Sequence, residues 1–368
     1  MGRVWKKIQK GVLIMATNNE LVGKVQTVLG LVLPDSLGIT LTHEHLMIDF
    51  RVVFKKPKYA SDLYKATLPV FLNNLEWVRN NRLSCLDNLL LGNEEEAITE
   101  AMLFKNEGGG TIVDVSNRSL GRDPKALARI SRATGLNVVM GSGYYFSVNQ
   151  AEDTKITEEA LEIEFIKEII EGVDNTGIKV GVIGEIGCTW PLKQGEKKVL
   201  SAAARTQKRI GIPISIHPGQ HSDAPFEILD VLISAGAQPE HVIIGHLERT
   251  LLTYESLEKL AKTGCYMEFD AFGKEGYFSA SAKTDLSVDI PNDHYRINMI
   301  IQLIQGGYGD QILVSQDICT KDMMTLYGGY GYAHILKRAV PIMQLKGMSE
   351  KDIMKILRDN PQRAFTIF

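Results

Sequence analysis

Six side chains in this sequence are of the types that hold divalent ions: His43, His45, Glu185, His217, His246 and Asp317. Imidazoles and carboxylates suit zinc and similar cations, and a site that keeps an open coordination position leaves room for a reactive water. Each of the six closes a short apolar run of the kind that forms a buried strand, so the set reads as a two-metal hydrolase site. In His43-Glu44-His45, alternation along an extended backbone puts both imidazoles on one side and Glu44 on the other. Glu185 ends the run Val180-Gly181-Val182-Ile183-Gly184, where an ionised carboxylate is costly to bury without a cation beside it. His217 follows Ile214-Ser215-Ile216, and His246 follows Val242-Ile243-Ile244-Gly245. A lone histidine after an apolar strand is usually structural, but two at successive strand ends, on the face where barrel active sites lie, favour ligation. Asp317 closes Ile312-Leu313-Val314-Ser315-Gln316 and can serve as ligand and proton acceptor. A helix-capping aspartate is the plainer alternative there. His221, His241, His294 and His334 lie off the strand ends or before them and are read as structural.

The elements that must position these donors are eight short apolar or β-branched runs, at 39–43, 111–115, 137–141, 179–184, 213–217, 241–245, 265–269 and 311–315. Between them lie segments with apolar residues at helical spacing, such as 158–170 (Leu161, Phe165, Ile166, Ile169) and 224–233. Strand and helix alternating eight times predicts an α/β fold, a parallel (β/α)8 barrel of the TIM type. The first gap is much longer than the others, and residues 51–93 are expected to form an insertion with its own helices, at the site rim or at an oligomer contact. Gly108, Gly109 and Gly110 end the helix at 94–106 and feed the second strand. Asn360-Pro361 is expected to stop a helix near the end. With no linker composition and no internal repeat, residues 21–368 read as one barrel domain, preceded by a flexible extension at 1–20.

Bulk composition bounds the partners. At 368 residues, 44% hydrophobic and 23% charged, with a formal charge of −3 and no long basic block, the chain fits a soluble enzyme of small molecules better than a partner of nucleic acid or an acidic membrane. Cys85, Cys188, Cys265 and Cys319 form no CxxC pair and are expected to be reduced thiols of a cytoplasmic protein. The apolar run at 12–15 is too short to span a membrane, and Lys6 stands where a myristoylation pattern needs Ser or Thr.

The stretches Gly38-Ile39-Thr40-Leu41-Thr42-His43-Glu44-His45, Val182-Ile183-Gly184-Glu185-Ile186-Gly187, Ile216-His217-Pro218-Gly219, Ile243-Ile244-Gly245-His246 and Leu313-Val314-Ser315-Gln316-Asp317 resemble the phosphotriesterase family of the amidohydrolase superfamily, and within it the animal phosphotriesterase-related branch. The likeness runs from about Val22 to the C-terminus and includes Gly328-Gly329-Tyr330-Gly331-Tyr332 and Asn360-Pro361. It implies a distorted (β/α)8 barrel with two divalent ions, usually zinc. His43, His45 and Asp317 would hold the buried ion, His217 and His246 the more exposed one, and Glu185 would bridge them. Many members use a carbamylated lysine at the bridging position, and the glutamate here removes the need for that modification.

Arg249 stands where members acting on phosphotriesters or lactones tend to carry a proton-relaying aspartate. A guanidinium there suits an anionic substrate, and a rim salt bridge to Glu248 or Glu255 is the other reading. Tyr145 matches an aromatic residue that overhangs the metals in related lactonases. The resemblance further implies an amidase of small anionic N-acyl amino compounds, N-acetyltaurine first and N-acetyl amino acids next. A hydroxide bridging both ions would attack the acyl carbon, and Asp317 would carry its proton to the leaving nitrogen. Homodimers are common among related barrels. A lactonase or phosphotriesterase shares every ligand but prefers neutral substrates. Outside catalysis, a silent barrel binding a metabolite or a protein is the alternative that loss of a ligand would favour, and no ligand position is empty.

Overall fold

The computed structural model describes residues 20–145, 156–279 and 287–368. Of the expected extension at 1–20, all but Glu20 lies outside the described residues.

Eight parallel strands form the central sheet: β1 (Ile39–Glu44), β2 (Gly109–Asp114), β3 (Asn137–Ser142), β4 (Val182–Gly187), β5 (Ile214–His217), β6 (Val242–Ile244), β7 (Tyr266–Phe269) and β8 (Ile312–Val314). Each pairs with its neighbour in chain order, from β1 round to β8. The strands are joined through helices that include α1 (Glu94–Asn106), α2 (Pro124–Thr134), α3 (Glu158–Ile170), α4 (Gln194–Ile210), α5 (Ala224–Ser234), α6 (Tyr254–Ala261) and α7 (Asp293–Gln305). This is the distorted TIM barrel that the alternation predicts. Side chains from Val113, Val139, Val182, Ile243, Tyr266 and Leu313 form one apolar cluster with Leu37 and Phe365, and a larger cluster joins the sheet to the helices. Local chemistry starts the helices where the apolar spacing begins: the Asn93 side chain accepts from the amides of Glu95 and Glu96, and Thr157 accepts from Ala160.

Closure between β1 and β8 relies mainly on side chains. Thr42 Oγ1 donates to the Val314 carbonyl at 3.2 Å, the His43 amide donates to Ser315 Oγ at 3.0 Å, and the Asp317 amide donates to the His43 carbonyl at 3.1 Å. The buried Glu44 carboxylate accepts from Ser315 Oγ and from the amides of Gln316 and Ile318. Glu44 therefore faces away from the two histidines, as alternation requires, and staples the first strand to the segment leading to Asp317.

The fourth strand is displaced from its expected span of 179–184. Its ladder is set by Gly141↔Val182 and Ser142↔Ile183 on one side and by Gly187↔His217 on the other. Glu185 thus lies inside β4 rather than closing it. The insertion at 51–93 is pinched at its base by the antiparallel pair Ile48–Asp49 and Leu90–Leu91. It contains short 3-10 segments and one α-helix, Leu75–Asn80, around a small core of Val70, Leu75, Trp77, Val78 and Cys85. It packs on the loop after β8 through Arg82 Nε to Asp322 Oδ2 at 3.1 Å and Lys321 Nζ to Asp87 Oδ1 at 2.7 Å.

Asn360-Pro361 does not stop a helix. The segment runs from Glu350–Met354 through a π turn, Lys355–Asp359, into Asn360–Phe365. The wider π turn accommodates the missing proline N–H, which a regular α-helix interior would leave as a broken bond. Asn360 is buried, and its Nδ2 donates to the carbonyls of Gly309 at 2.8 Å and Ile312 at 2.7 Å, tying this helix to β8. Replacing Asn360 by Ala strips two buried acceptors and is expected to cost roughly 2 kcal/mol of stability, read from urea unfolding midpoints.

The four cysteines are free thiols. Among the described residues, no helix is long and apolar enough to cross a membrane.

Candidate metal centre

Glu185 is the hub of the site at the C-terminal mouth of the barrel. Its Oε2 lies 2.8 Å from His217 Nδ1, 3.5 Å from His43 Nε2 and 3.7 Å from His246 Nε2, and its Oε1 lies 3.5 Å from His45 Nε2. Asp317 Oδ1 completes the group, 3.2 Å from His45 Nε2 and 4.0 Å from His43 Nε2. The structure therefore brings together all six donors singled out above. Close backbone approach makes this possible: a Cβ on Gly184 would sit 2.4 Å from the Ser215 carbonyl oxygen, so only glycine lets β4 carry Glu185 this near to β5. His246 (φ 55°) and Asp317 (φ 49°), just beyond β6 and β8, both adopt the left-handed backbone that non-glycine residues avoid, a conformation that clusters at functional sites.

Groups outside the six fix the rings. His43 Nδ1 pairs with Glu268 Oε2 at 3.1 Å, His45 Nδ1 with Ser116 Oγ at 2.9 Å, and His246 Nδ1 with Asp270 Oδ1 at 2.6 Å. Such anchoring selects the tautomer and turns Nε2 of all three rings towards the cluster, where His246 Nε2 meets His217 Nδ1 at 2.7 Å. His217 is reversed: its Nδ1 faces Glu185 and its Nε2 lies 2.9 Å from Arg249 Nη2. Glu268, Asp270 and Lys274 escape the strand-end reading, although Glu268 and Asp270 gave a signal. They stand two apart, in and just past the apolar strand β7, where buried carboxylates call for a cation as much as Glu185 does. Lys274 gave none.

The electrostatics of the cluster suit a divalent cation. Burial, reinforced by the neighbouring His246, pulls His217 down to about 3. Burial and the Arg249 charge pull His246 to about 4, so both rings are neutral donors at neutral pH. Burial opposes charging of His43 as well, but the Asp270 and Glu185 carboxylates outweigh it and raise that ring well above its ordinary value. Burial would also raise the Glu185 carboxyl, yet His217 and His43 hold it well below the usual range. A pocket that drives a buried imidazole to take a proton has negative charge left to balance. His43 Nε2 is itself buried with no hydrogen-bond partner. His43, Glu185 and His246, and likewise His43, His45 and Asp317, place their donor atoms close enough to share an ion. The residues present therefore fit a divalent ion of the kind that the resemblance implies.

Arg249 and Tyr145 border this cluster. Glu248 is taken by Arg296, with Nε 3.0 Å from Glu248 Oε1, and the Arg249 guanidinium instead reaches His217, with its Nε buried and unpartnered. Tyr145 is buried, and its ring meets that of His217 edge-on with centroids 4.9 Å apart. Burial, then the charge of Glu185, pushes its hydroxyl well above the usual value, so it stays protonated as a potential donor. The other histidines lie apart from these donors: His221 stacks on Trp190, and His334 Nε2 pairs with Asp293 Oδ2 at 2.6 Å.

Comparison with known proteins agrees with this fold. A family model described as the phosphotriesterase family matches residues 23–365. An N-acetyltaurine hydrolase of Xenopus tropicalis is 44% identical over 351 residues, covering 95% of this chain and 99% of that protein. Among solved structures, a resiniferatoxin-binding protein from Rhodobacter sphaeroides superposes with a TM-score of 0.88 at 33% identity, covering 93% of this chain and 95% of that one. The lactonase Lmo2620 from Listeria monocytogenes gives a TM-score of 0.73 at 26% identity, over 94% of this chain and 99% of that one.

Proposed function

The chain belongs to the phosphotriesterase family, and on that premise we propose that it hydrolyses the amide bond of small anionic N-acyl amino compounds, N-acetyltaurine first among them, with two divalent ions. One observation carries the reading: a single carboxylate, Glu185, reaches four imidazoles at the barrel mouth while the Arg249 guanidinium stands on the edge of that cluster. His43, His45 and Asp317 would hold one ion and His217 and His246 the other, with Glu185 shared, and the mixed nitrogen and oxygen donors suit zinc. Bound there, the ions supply a polarised water near neutral pH and a positive charge for the acyl oxygen.

The chain's own groups supply the rest. Burial would raise the Asp317 carboxyl, but the Lys274 ammonium and the neighbouring His45 keep it ionised, ready to take a proton from the attacking water and deliver it to the leaving nitrogen. Arg249 would hold the sulfonate or carboxylate of the substrate through paired N–H groups. Tyr145 roofs the acyl side and keeps water from the reacting carbon. Tyr145→Phe is expected to lower kcat by about a hundredfold, as loss of one hydrogen-bond donor to the acyl oxygen would, with metal content unchanged. The 44% identity to an N-acetyltaurine hydrolase over nearly the whole chain supports the choice of substrate.

The deciding experiment is release of acetate from N-acetyltaurine by metal-replete protein. A second reading, lactone hydrolysis, draws on the likeness to the Listeria lactonase. Turnover of neutral lactones with none of N-acetyltaurine would replace the first reading by the second, and two bound ions without turnover of any acyl compound would favour a binding protein.

A further inference from the structure

We infer that Lys274 is a positioning residue for Asp317, and that the buried Arg296 sets the turn from which Lys274 works. The inference rests on the reading of Asp317 as ligand and proton acceptor. Lys274 is 7% exposed, and its Nζ lies 2.5 Å from Asp317 Oδ2, whereas Oδ1 of the same carboxylate faces His45 and His43. The two oxygens therefore have separate partners. Without the ammonium, the carboxylate is free to turn about its last torsion and exchange them.

The turn that carries Lys274 is held at every residue. The Ala271 amide donates to Glu248 Oε1 at 2.7 Å, the Phe272 amide to the Ser315 carbonyl at 3.2 Å and the Gly273 amide to Asp293 Oδ1 at 3.0 Å. The Lys274 amide returns to the Ala271 carbonyl at 2.9 Å, and the Lys274 carbonyl accepts from Arg296 Nη2 at 2.8 Å. Arg296 is fully buried and also donates Nε to Glu248 at 3.0 Å and Nη1 to Asp293 at 2.9 Å. The two carboxylates that neutralise the guanidinium are thus the acceptors that pin the turn. Gly273 adopts φ +80°, where any side chain would be strained. A planar fork can meet all three partners at once, whereas a lysine at 296 would keep the charge and lose the geometry.

A cation beside a metal ligand has two opposed effects, which makes the inference testable apart from turnover. As a bare charge, Lys274 repels a divalent ion, so its removal would tighten metal binding. As a positioning group it orients a ligand, so its removal would weaken binding, by about 10- to 100-fold where such outer groups have this role. The experiment measures zinc affinity by chelator competition, and kcat and KM for N-acetyltaurine, in wild type, Lys274→Met, Lys274→Arg, Arg296→Lys and the Lys274→Met/Arg296→Lys double variant. The expected results are weaker zinc binding and a kcat lower by about tenfold or more in Lys274→Met, with KM within about threefold and partial recovery in Lys274→Arg. Arg296→Lys should shift both quantities the same way by less, and the double variant should be no worse than Lys274→Met alone, the signature of one shared pathway. Zinc binding in Lys274→Met that is tighter or unchanged overturns the inference, as do fully additive losses in the double variant. If Arg296→Lys fails to fold, the two Lys274 variants decide the matter. A wild type that binds two zinc ions but leaves N-acetyltaurine intact would overturn the proposed substrate, while the zinc affinities would still judge Lys274.

Discussion

Glu185→Ala is expected to abolish turnover, by at least about a thousandfold in kcat, and to lower the bound metal below two ions per chain. This carboxylate reaches four imidazoles: one oxygen approaches His217, His43 and His246, and the other approaches His45. Both halves of the centre are thereby linked through a single group, and its loss leaves no anion common to all four imidazoles. Glu185→Gln separates charge from shape. The amide fills the same space in β4 but brings no negative charge and presents N–H groups to atoms that should face a cation, so it should lose metal nearly as badly as Ala. Metal content by elemental analysis and acetate release on the same preparations test this. Two ions retained in either variant with turnover within tenfold of wild type would remove Glu185 from the bridging role.

The second large effect is expected at Arg249. Arg249→Ala should raise KM for N-acetyltaurine about 30-fold, equivalent to about 2 kcal/mol, with metal content unchanged and neutral acyl substrates unaffected. A guanidinium has only donors, so its 2.9 Å approach to His217 Nε2 requires a lone pair on that nitrogen. When His217 ligates through Nδ1, a neutral ring carries its proton on Nε2, and the two donors no longer attract. Arg249 would then be released towards whatever acceptor enters the mouth, and a sulfonate or carboxylate offers the oxygens that match its fork. Arg249→Lys should recover part of the affinity as a point charge. An unchanged KM in Arg249→Ala would show that the substrate anion is held elsewhere.

The donors were legible because each violates the pattern around it. A single histidine or carboxylate at the end of an apolar strand has an ordinary structural explanation, but six of them at such strands do not share one, and eight strands in sequence order predict the mouth where they meet. The same test, applied to the strand read as ending at 269, would have caught Glu268, and one residue further on Asp270. Lys274 and Arg296 were illegible for a different reason. Their roles depend on a turn whose hydrogen bonds come from β6's exit, β8 and α7, which no local spacing encodes. The limits of β4 failed because Val180 and Gly181 continue the apolar run backwards, while pairing with β3 and β5 decides where the ladder begins and ends. Asn360-Pro361 misled because proline is read as a break, and the π turn that absorbs it leaves no signature in composition.

The seam between β1 and β8 has a consequence for the order of events in the cell. His43 and Ser315, hydrogen-bonded across it, are 272 residues apart in the chain. His43 and His45 emerge early in synthesis, Asp317 emerges last of the donors, and Glu44 has nothing to staple until then. A growing chain therefore carries an open sheet edge and an incomplete ligand set through most of translation, with its early histidines unable to close a site on their own. On the proposed two-ion reading, ion uptake is a property of the finished molecule, and a chain truncated before residue 315 would lose that capacity together with the closure of its barrel.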